Sequence, residues 1–232
     1  MSPIAMLSQI LPPDIVFSEQ FGDPTGHLLK EEAALLGHNT AERRRLEFAA
    51  GRTCARNSLS YLGILNHPIL FGRQREPVWP TGIVGSITHC DGYCAAANAS
   101  VADYKSIGID AEVNAPLPNG VLPLVTTKEE RSWLQTATNC PEQYGRLIFS
   151  IKESIYKAWY PLMKCWLDFQ QAAVILQPRT GQFWAEIIHP LASDLNGLLA
   201  VEGKFLVTPS HFFSCISLPT KIVPSIPRIR KS

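Results

Sequence analysis

Apolar residues recur at helical spacing in a few long stretches of this chain and alternate along several short ones. Thr40 to Leu62, rich in Ala, Leu, Glu and Arg, predicts a helix with Gly63 as its C-cap. Arg45, Arg52 and Arg56 share one face of it, which suits a solvated stripe as well as a binding surface. Pro68 to Pro80 is a connection rich in turn residues, followed by a strand over Ile83 to Thr88. Asp91-Gly92 then separates that strand from Tyr93 to Ala99, a strong hairpin signal because both residues tolerate positive φ. A third strand runs from Ser106 to Glu112.

Thr126-Thr127-Lys128-Glu129-Glu130 is a capping-box start for a helix reaching about Ala137. Pro141 opens a longer helix, since proline is favoured at the first helical position. Ile148, Ile151, Ile155, Ala158 and Leu162 form its buried stripe, with Ser150, Glu153, Ser154 and Lys157 on the opposite face. Strands follow over Ala172 to Leu176, Phe183 to Ile188, Lys204 to Val207 and Phe212 to Leu218. The order of elements predicts an α+β fold of antiparallel hairpins rather than alternating βαβ units. The Pro- and Gly-bearing stretch Asn114 to Gly120 divides the chain into an N-terminal half, 1–112, and a C-terminal half, 113–218, with 219–232 as a frayed tail.

Composition narrows the function classes. The chain has 232 residues, 46% of them hydrophobic, enough for a sizeable core. Its 21 Lys and Arg nearly balance 20 Asp and Glu, which argues against a broad nucleic-acid footprint and against disorder. No apolar run approaches the roughly 18 residues of a membrane helix, and the start lacks the basic region of a signal peptide. Six widely spread cysteines then read as reduced thiols of a cytoplasmic protein.

The candidate chemistry lies in three places. Asp110 and Glu112 alternate with Ala111, so period two puts both carboxylates on one face of a strand end. Like charges that close raise each other's pKa, and a hard divalent cation such as Mg²⁺ would relieve the repulsion; a polar strand end entering a loop is the plainer account. Glu153 and Lys157 are one helical turn apart, either as a surface ion pair worth about 0.3–0.5 kcal/mol or, on so apolar a helix, as groups facing a cleft. Thr88-His89-Cys90 with Cys94 lacks the four converging ligands of a closed zinc site. His89 then either donates to a phosphate or sits satisfied at the hairpin edge. Walker-type and dinucleotide-binding glycine motifs and the Gly-x-Ser-x-Gly elbow do not occur.

Four segments in order carry a resemblance. They are Arg44-x-x-Glu47-Phe48-x-x-Gly51-Arg52-x-x-Ala55-Arg56, the run Pro77-Val78-Trp79-Pro80 to Gly85-Ser86-Ile87-Thr88-His89-Cys90, Ile107-Gly108-Ile109-Asp110-x-Glu112, and Phe149-Ser150-x-Lys152-Glu153-Ser154-x-Tyr156-Lys157. As a set they resemble the 4′-phosphopantetheinyl transferases of the broad-specificity type, in the branch that activates siderophore and polyketide synthases. The resemblance extends from about residue 40 to about 218, and the first 40 residues match poorly.

The resemblance implies two similar α+β halves packed as a pseudo-dimer, with coenzyme A in the cleft between them. It implies transfer of phosphopantetheine from coenzyme A to a serine of an apo acyl or peptidyl carrier protein, dependent on Mg²⁺ (Mn²⁺ as the alternative), by a monomer that binds neither nucleic acid nor membrane. Asp110, Glu112 and Glu153 match the metal-binding carboxylates, Glu153 alternatively acting as general base. Lys157 matches the lysine on the coenzyme A phosphates, and Lys152 the lysine before the glutamate. His89, with Thr88 before it, matches the histidine near the 3′-phosphate. Arg44 and Arg52 match basic residues on the nucleotide side, and Arg73 or Arg75 the basic residue on the pantetheine side. Two rivals are a catalytically inactive module binding coenzyme A or carrier proteins, and an RNA-binding protein using the Arg helix.

Overall fold

The structure is a computed structural model that describes residues 5–138, 140–190 and 200–221. In chain order the elements are β1 (Val16–Phe21), α1 (Lys30–Ala33), α2 (Glu42–Ser60), β2 (Leu70–Phe71), β3 (Pro77–Val78), β4 (Ile83–Cys90), β5 (Tyr93–Ser100) and β6 (Tyr104–Val113). They continue with α3 (Leu122–Val125), α4 (Lys128–Ala137), α5 (Pro141–Met163), β7 (Ala172–Gln177), β8 (Gln182–Ile187), β9 (Ala200–Val207) and β10 (His211–Pro219). Three antiparallel sheets result, ordered β1-β5-β4, β6-β10-β9-β8-β7 and β2-β3. The α+β expectation is met, and among the described residues no helix is long and apolar enough to cross a membrane.

Local chemistry explains the main elements. Asp91-Gly92 turns β4 into β5 with Cys90 opposite Tyr93, and Gly92 takes the positive φ of +73°. Thr127 caps α4 by accepting from the Glu130 N–H, while the Glu130 carboxylate accepts from the Thr127 N–H. Helix α2 covers the first sheet through Ala50, Cys54, Ala55 and Leu59, against Cys94 and Ala96 of β5. The apolar stripe of α5 packs on the second sheet together with Phe183, Phe205 and Phe212. Gly63, at φ +78°, closes the turn after α2.

The polar face of α5 is not solvated. Ser150 and Ser154 are fully buried, and Ser150 shares hydrogen bonds with Ser214 of β10. Small side chains let α5 settle onto β6. A Cβ added to Gly108 would overlap the Ser154 carbonyl oxygen. Gly108→Ala is therefore expected to cost about 3 kcal/mol or more, read as a lowered urea midpoint, because backbone on both sides would have to separate.

Two observations bear on the division of the chain. Strand β6 pairs with β10 along its length, Asp110 opposite Ser214 and Glu112 opposite Phe212, so it belongs to the second sheet. A division after residue 112 separates β6 from its hydrogen-bonded partner; the division that keeps sheets intact falls in the turn between β5 and β6. The tail assigned to 219–232 is described only as far as Lys221, with Pro219 still in β10, and the remainder lies outside the described residues.

Strands β4 and β6 join the two sheets without a backbone ladder between them. Ser86 Oγ accepts from the Ile109 N–H at 3.1 Å, and Thr88 Oγ1 accepts from the Ala111 N–H at 3.0 Å. Two hydroxyls of β4 thus satisfy amides that β6 would otherwise bury unpaired. This seam is the floor of the candidate site.

Candidate active site

A cleft of about 550 Å³ opens between the β3–β4 region of the first half and α5 of the second. Five basic residues (Arg52, Arg75, Lys105, Lys157, Lys164) and two acidic ones (Glu76, Glu153) line it, alongside His89 and an apolar wall that includes Trp79, Tyr156 and Tyr160. The excess of cations suits an anionic ligand, and the apolar wall suits one with an uncharged arm.

Strand β6 holds Asp110, 5% exposed, directly behind Lys157 of the cleft lining. Its Oδ1 accepts from Lys157 Nζ at 2.7 Å and from Thr88 Oγ1 at 3.2 Å. Lys157 Nζ also donates to the Ile109 carbonyl at 3.2 Å. The other oxygen, Oδ2, is buried without a partner. Glu112 lies two residues on and accepts from Arg146 Nη1 at 3.0 Å through Oε2. Burial first, then the Asp110 charge, pushes the Glu112 carboxyl above its ordinary range against the pull of Arg146. Glu153 is also raised by burial; Lys157 lowers it, and Asp110 and Glu112 raise it further.

Glu153 and Lys157 form no ion pair among the described residues, because Lys157 turns to Asp110 instead. The surface-pair account of these two side chains therefore fails on geometry. Both line the cleft.

A divalent cation can be tested against this arrangement. Among the described residues no three His, Cys, Asp or Glu side chains already converge as a finished metal site. The donor set nevertheless fits a hard cation: three carboxylates, one buried oxygen without a partner, and burial with added mutual repulsion that raises two of the three. Six cysteines, all free thiols, contribute nothing comparable.

The basic residues divide into those at the cleft and those elsewhere. His89 Nε2 lies 2.7 Å from Arg44 Nη1 and 3.5 Å from Glu47. Burial and the Arg44 charge lower the His89 pKa, so a neutral ring accepts from Arg44. Arg52 is buried at the back of the cleft, its Nε donating to the Ile69 carbonyl at 2.8 Å and its guanidinium 4.2 Å from the Phe48 ring. Burial lowers its pKa to about 10, which leaves it charged near neutrality. Arg75 stands at the rim, and the exposed Arg73 does not line the cleft. Arg45 is on the surface beside Glu42, and Arg56 is a buried partner of Glu32.

Two expected ligand contacts are redirected. Lys152 is 2% exposed and donates to Glu130 at 2.8 Å and to the Phe169 carbonyl at 2.7 Å, inside the second half and away from the cleft. One residue's rotation along α5 separates it from Glu153. Thr88 is committed to Asp110 and the Ala111 amide, so it supports a site residue rather than facing the cleft. Lys105, Lys164 and Arg146 were not anticipated. Lys164 reaches Glu76 at 3.8 Å from the αL position that ends α5. Arg146 had a signal: it precedes Glu153 by two helical turns and shares its face.

The model of the 4'-phosphopantetheinyl transferase N-terminal domain matches residues 30–99, and that of the 4'-phosphopantetheinyl transferase superfamily matches residues 106–197. The gap between the two falls at the β5–β6 turn. The chain is similar to 4'-phosphopantetheinyl transferase Svp of Streptomyces mobaraensis, 44% identical over 80% of this chain and 77% of that protein. It is similar also to 4'-phosphopantetheinyl transferase Npt of Nocardia iowensis, 37% identical over 91% of this chain and 99% of the relative. To 4'-phosphopantetheinyl transferase PptT of Mycobacterium tuberculosis it is 38% identical over 84% of this chain and 91% of the other. With matched stretches on both sides of the cleft and relatives aligned over most of its length, the chain belongs to the 4'-phosphopantetheinyl transferase superfamily.

Proposed function

We propose that this protein binds coenzyme A in the cleft between its halves and transfers the 4′-phosphopantetheine group to a serine hydroxyl of an apo carrier protein. Adenosine 3′,5′-bisphosphate is the other product. The observation that carries this reading is the convergence at one cleft of Glu153, the Lys157–Asp110 pair, His89 and Arg52. Both walls come from a single chain, so a monomer suffices.

Lys157 spends two N–H groups on Asp110 and the Ile109 carbonyl, which fixes its ammonium at the cleft floor. The third N–H is left for a phosphate oxygen, where it neutralises charge developing on the leaving bisphosphate. Glu153, raised by burial, takes the proton of the serine as the hydroxyl attacks the β-phosphorus. Asp110, Glu112 and Glu153 would hold Mg²⁺, whose contribution when bound is to neutralise the pyrophosphate and stabilise the transferring phosphoryl group. Arg52 and the Arg44–His89 pair form the cationic wall on the nucleotide side, and Arg75 stands at the rim for the pantetheine side.

An apo carrier protein incubated with coenzyme A, Mg²⁺ and this protein should gain the mass of one phosphopantetheine group. An unchanged carrier mass with several apo carriers would overturn the reading. His89→Ala is expected to raise KM for coenzyme A much more than for dephospho-coenzyme A, since only the former has a 3′-phosphate. Equal losses with both would make His89 a structural residue of the hairpin edge.

A further inference from the structure

Arg146 makes three hydrogen bonds in three directions. Its Nε donates to the Ala115 carbonyl at 2.8 Å, Nη2 to the Pro116 carbonyl at 2.7 Å, and Nη1 to Glu112 Oε2 at 3.0 Å. The Arg146 and Glu112 side chains are 16% and 21% exposed, so the pair is largely shielded from competing water. A planar guanidinium bonded through all three nitrogens cannot turn without breaking more than one bond.

The three carboxylates of the proposed cation site sit on two elements, Asp110 and Glu112 on β6 and Glu153 on α5. Asp110 is fixed by Thr88 and Lys157. Glu112 takes hydrogen bonds from Arg146 alone among the described residues, and through one oxygen, so its Oε1 stays available. Arg146 lies on the same face of α5 as Glu153, two turns earlier. It therefore fixes the second carboxylate relative to the third. By binding the carbonyls of residues 115 and 116 it also holds the chain leaving β6 against α5.

We propose that Arg146 is a positioning residue of the cation site, acting through Glu112 to keep it in register with Asp110 and Glu153. The proposal rests on the reading of those three carboxylates as the cation's ligands. Two other roles compete. A residue that only anchors the linker would leave cation binding unchanged when replaced. A competing positive charge would, when removed, let the cation bind more tightly.

Mn²⁺ titrations of the full-length protein, with and without saturating coenzyme A, decide among them when the free ion is followed by its paramagnetic resonance. Arg146→Ala should weaken Mn²⁺ about ten- to a hundredfold, the usual effect of losing a residue that orients a metal ligand. Arg146→Lys should lose nearly as much, because an ammonium keeps the charge but cannot hold this planar three-way geometry. It also serves if the alanine variant does not fold. Coenzyme A affinity without metal should change little, while the melting temperature should fall in both variants because three shielded hydrogen bonds are lost or weakened. If Arg146 acts through Glu112, the Arg146→Ala/Glu112→Gln double variant should bind Mn²⁺ no worse than Glu112→Gln alone. Unchanged or tighter Mn²⁺ binding in the Arg146 variants, or losses that multiply in the double variant, would overturn the proposal. A wild-type protein that binds no Mn²⁺ under either condition would instead overturn the cation site itself.

Discussion

Asp110→Asn is expected to abolish transfer while leaving the protein folded. The substitution keeps the size of the side chain and an acceptor for Thr88, so the seam between β4 and β6 survives. It removes the charge that holds Lys157 at 2.7 Å and replaces the buried, partnerless Oδ2 or its mate with an amide. With the amide oxygen kept at the Oδ1 position for Thr88, the NH2 group stands at the Oδ2 position, where it offers a cation no lone pair. Two contributions to phosphoryl transfer are lost together, and each alone is worth on the order of a hundredfold or more. The rate of phosphopantetheine transfer should fall on the order of a thousandfold or more. Lys157 is 27% exposed, so its freed ammonium can rehydrate and the melting temperature should drop by only a few degrees. Carrier mass shift and thermal unfolding measured on the same preparation separate the two effects. Near-normal turnover at saturating Mg²⁺ would remove Asp110 from the site.

Short-range patterns account for what the sequence made legible. The Asp91-Gly92 turn, the Thr127–Glu130 capping box and the stripe of α5 are all encoded within a few residues, and each stands where periodicity and turn chemistry put it. Long-range pairing was not legible. Val16–Phe21 alternates poorly by itself and becomes β1 only because β5 offers it an edge some 80 residues later. Strand β6 pairs with β10, about a hundred residues on, a partnership that no local pattern announces. Lys152 illustrates the same limit at side-chain scale. Its place beside Glu153 in a shared motif suggested the cleft, yet its partner Glu130 is 22 residues away, on another helix. Burial lowers the Lys152 pKa and Glu130 raises it, a pair whose role is to fix α5 against α4. Arg146 was within reach of helical geometry alone, since Arg146, Ser150, Glu153 and Lys157 fall on one face. The linker carbonyls and the carboxylate that employ it come from elsewhere in the chain.

Lys157→Ala and Glu153→Gln should both cripple the reaction, but conditions should rescue them differently. Lys157→Ala removes the cation set against the leaving phosphate and leaves Asp110 with only Thr88. A loss in kcat on the order of a hundredfold or more is expected, with little recovery at high Mg²⁺, because a cation on the carboxylates does not replace a hydrogen bond to the phosphate. Glu153→Gln keeps size and hydrogen bonding but removes the charge from a carboxyl that burial has raised. As a base, Glu153 works only once deprotonated, so the wild-type rate should climb with pH through a value above the usual carboxylate range. Glu153→Gln should lack that acid limb and recover part of its rate as pH rises and the serine hydroxyl ionises more readily. If Glu153 acts chiefly as a cation ligand, rising Mg²⁺ rather than rising pH should restore the rate. Measuring both variants across Mg²⁺ and pH therefore assigns the carboxylate and the ammonium separate roles. Wild-type rates in both would leave Glu153 and Lys157 as lining of a cleft whose chemistry resides in other residues.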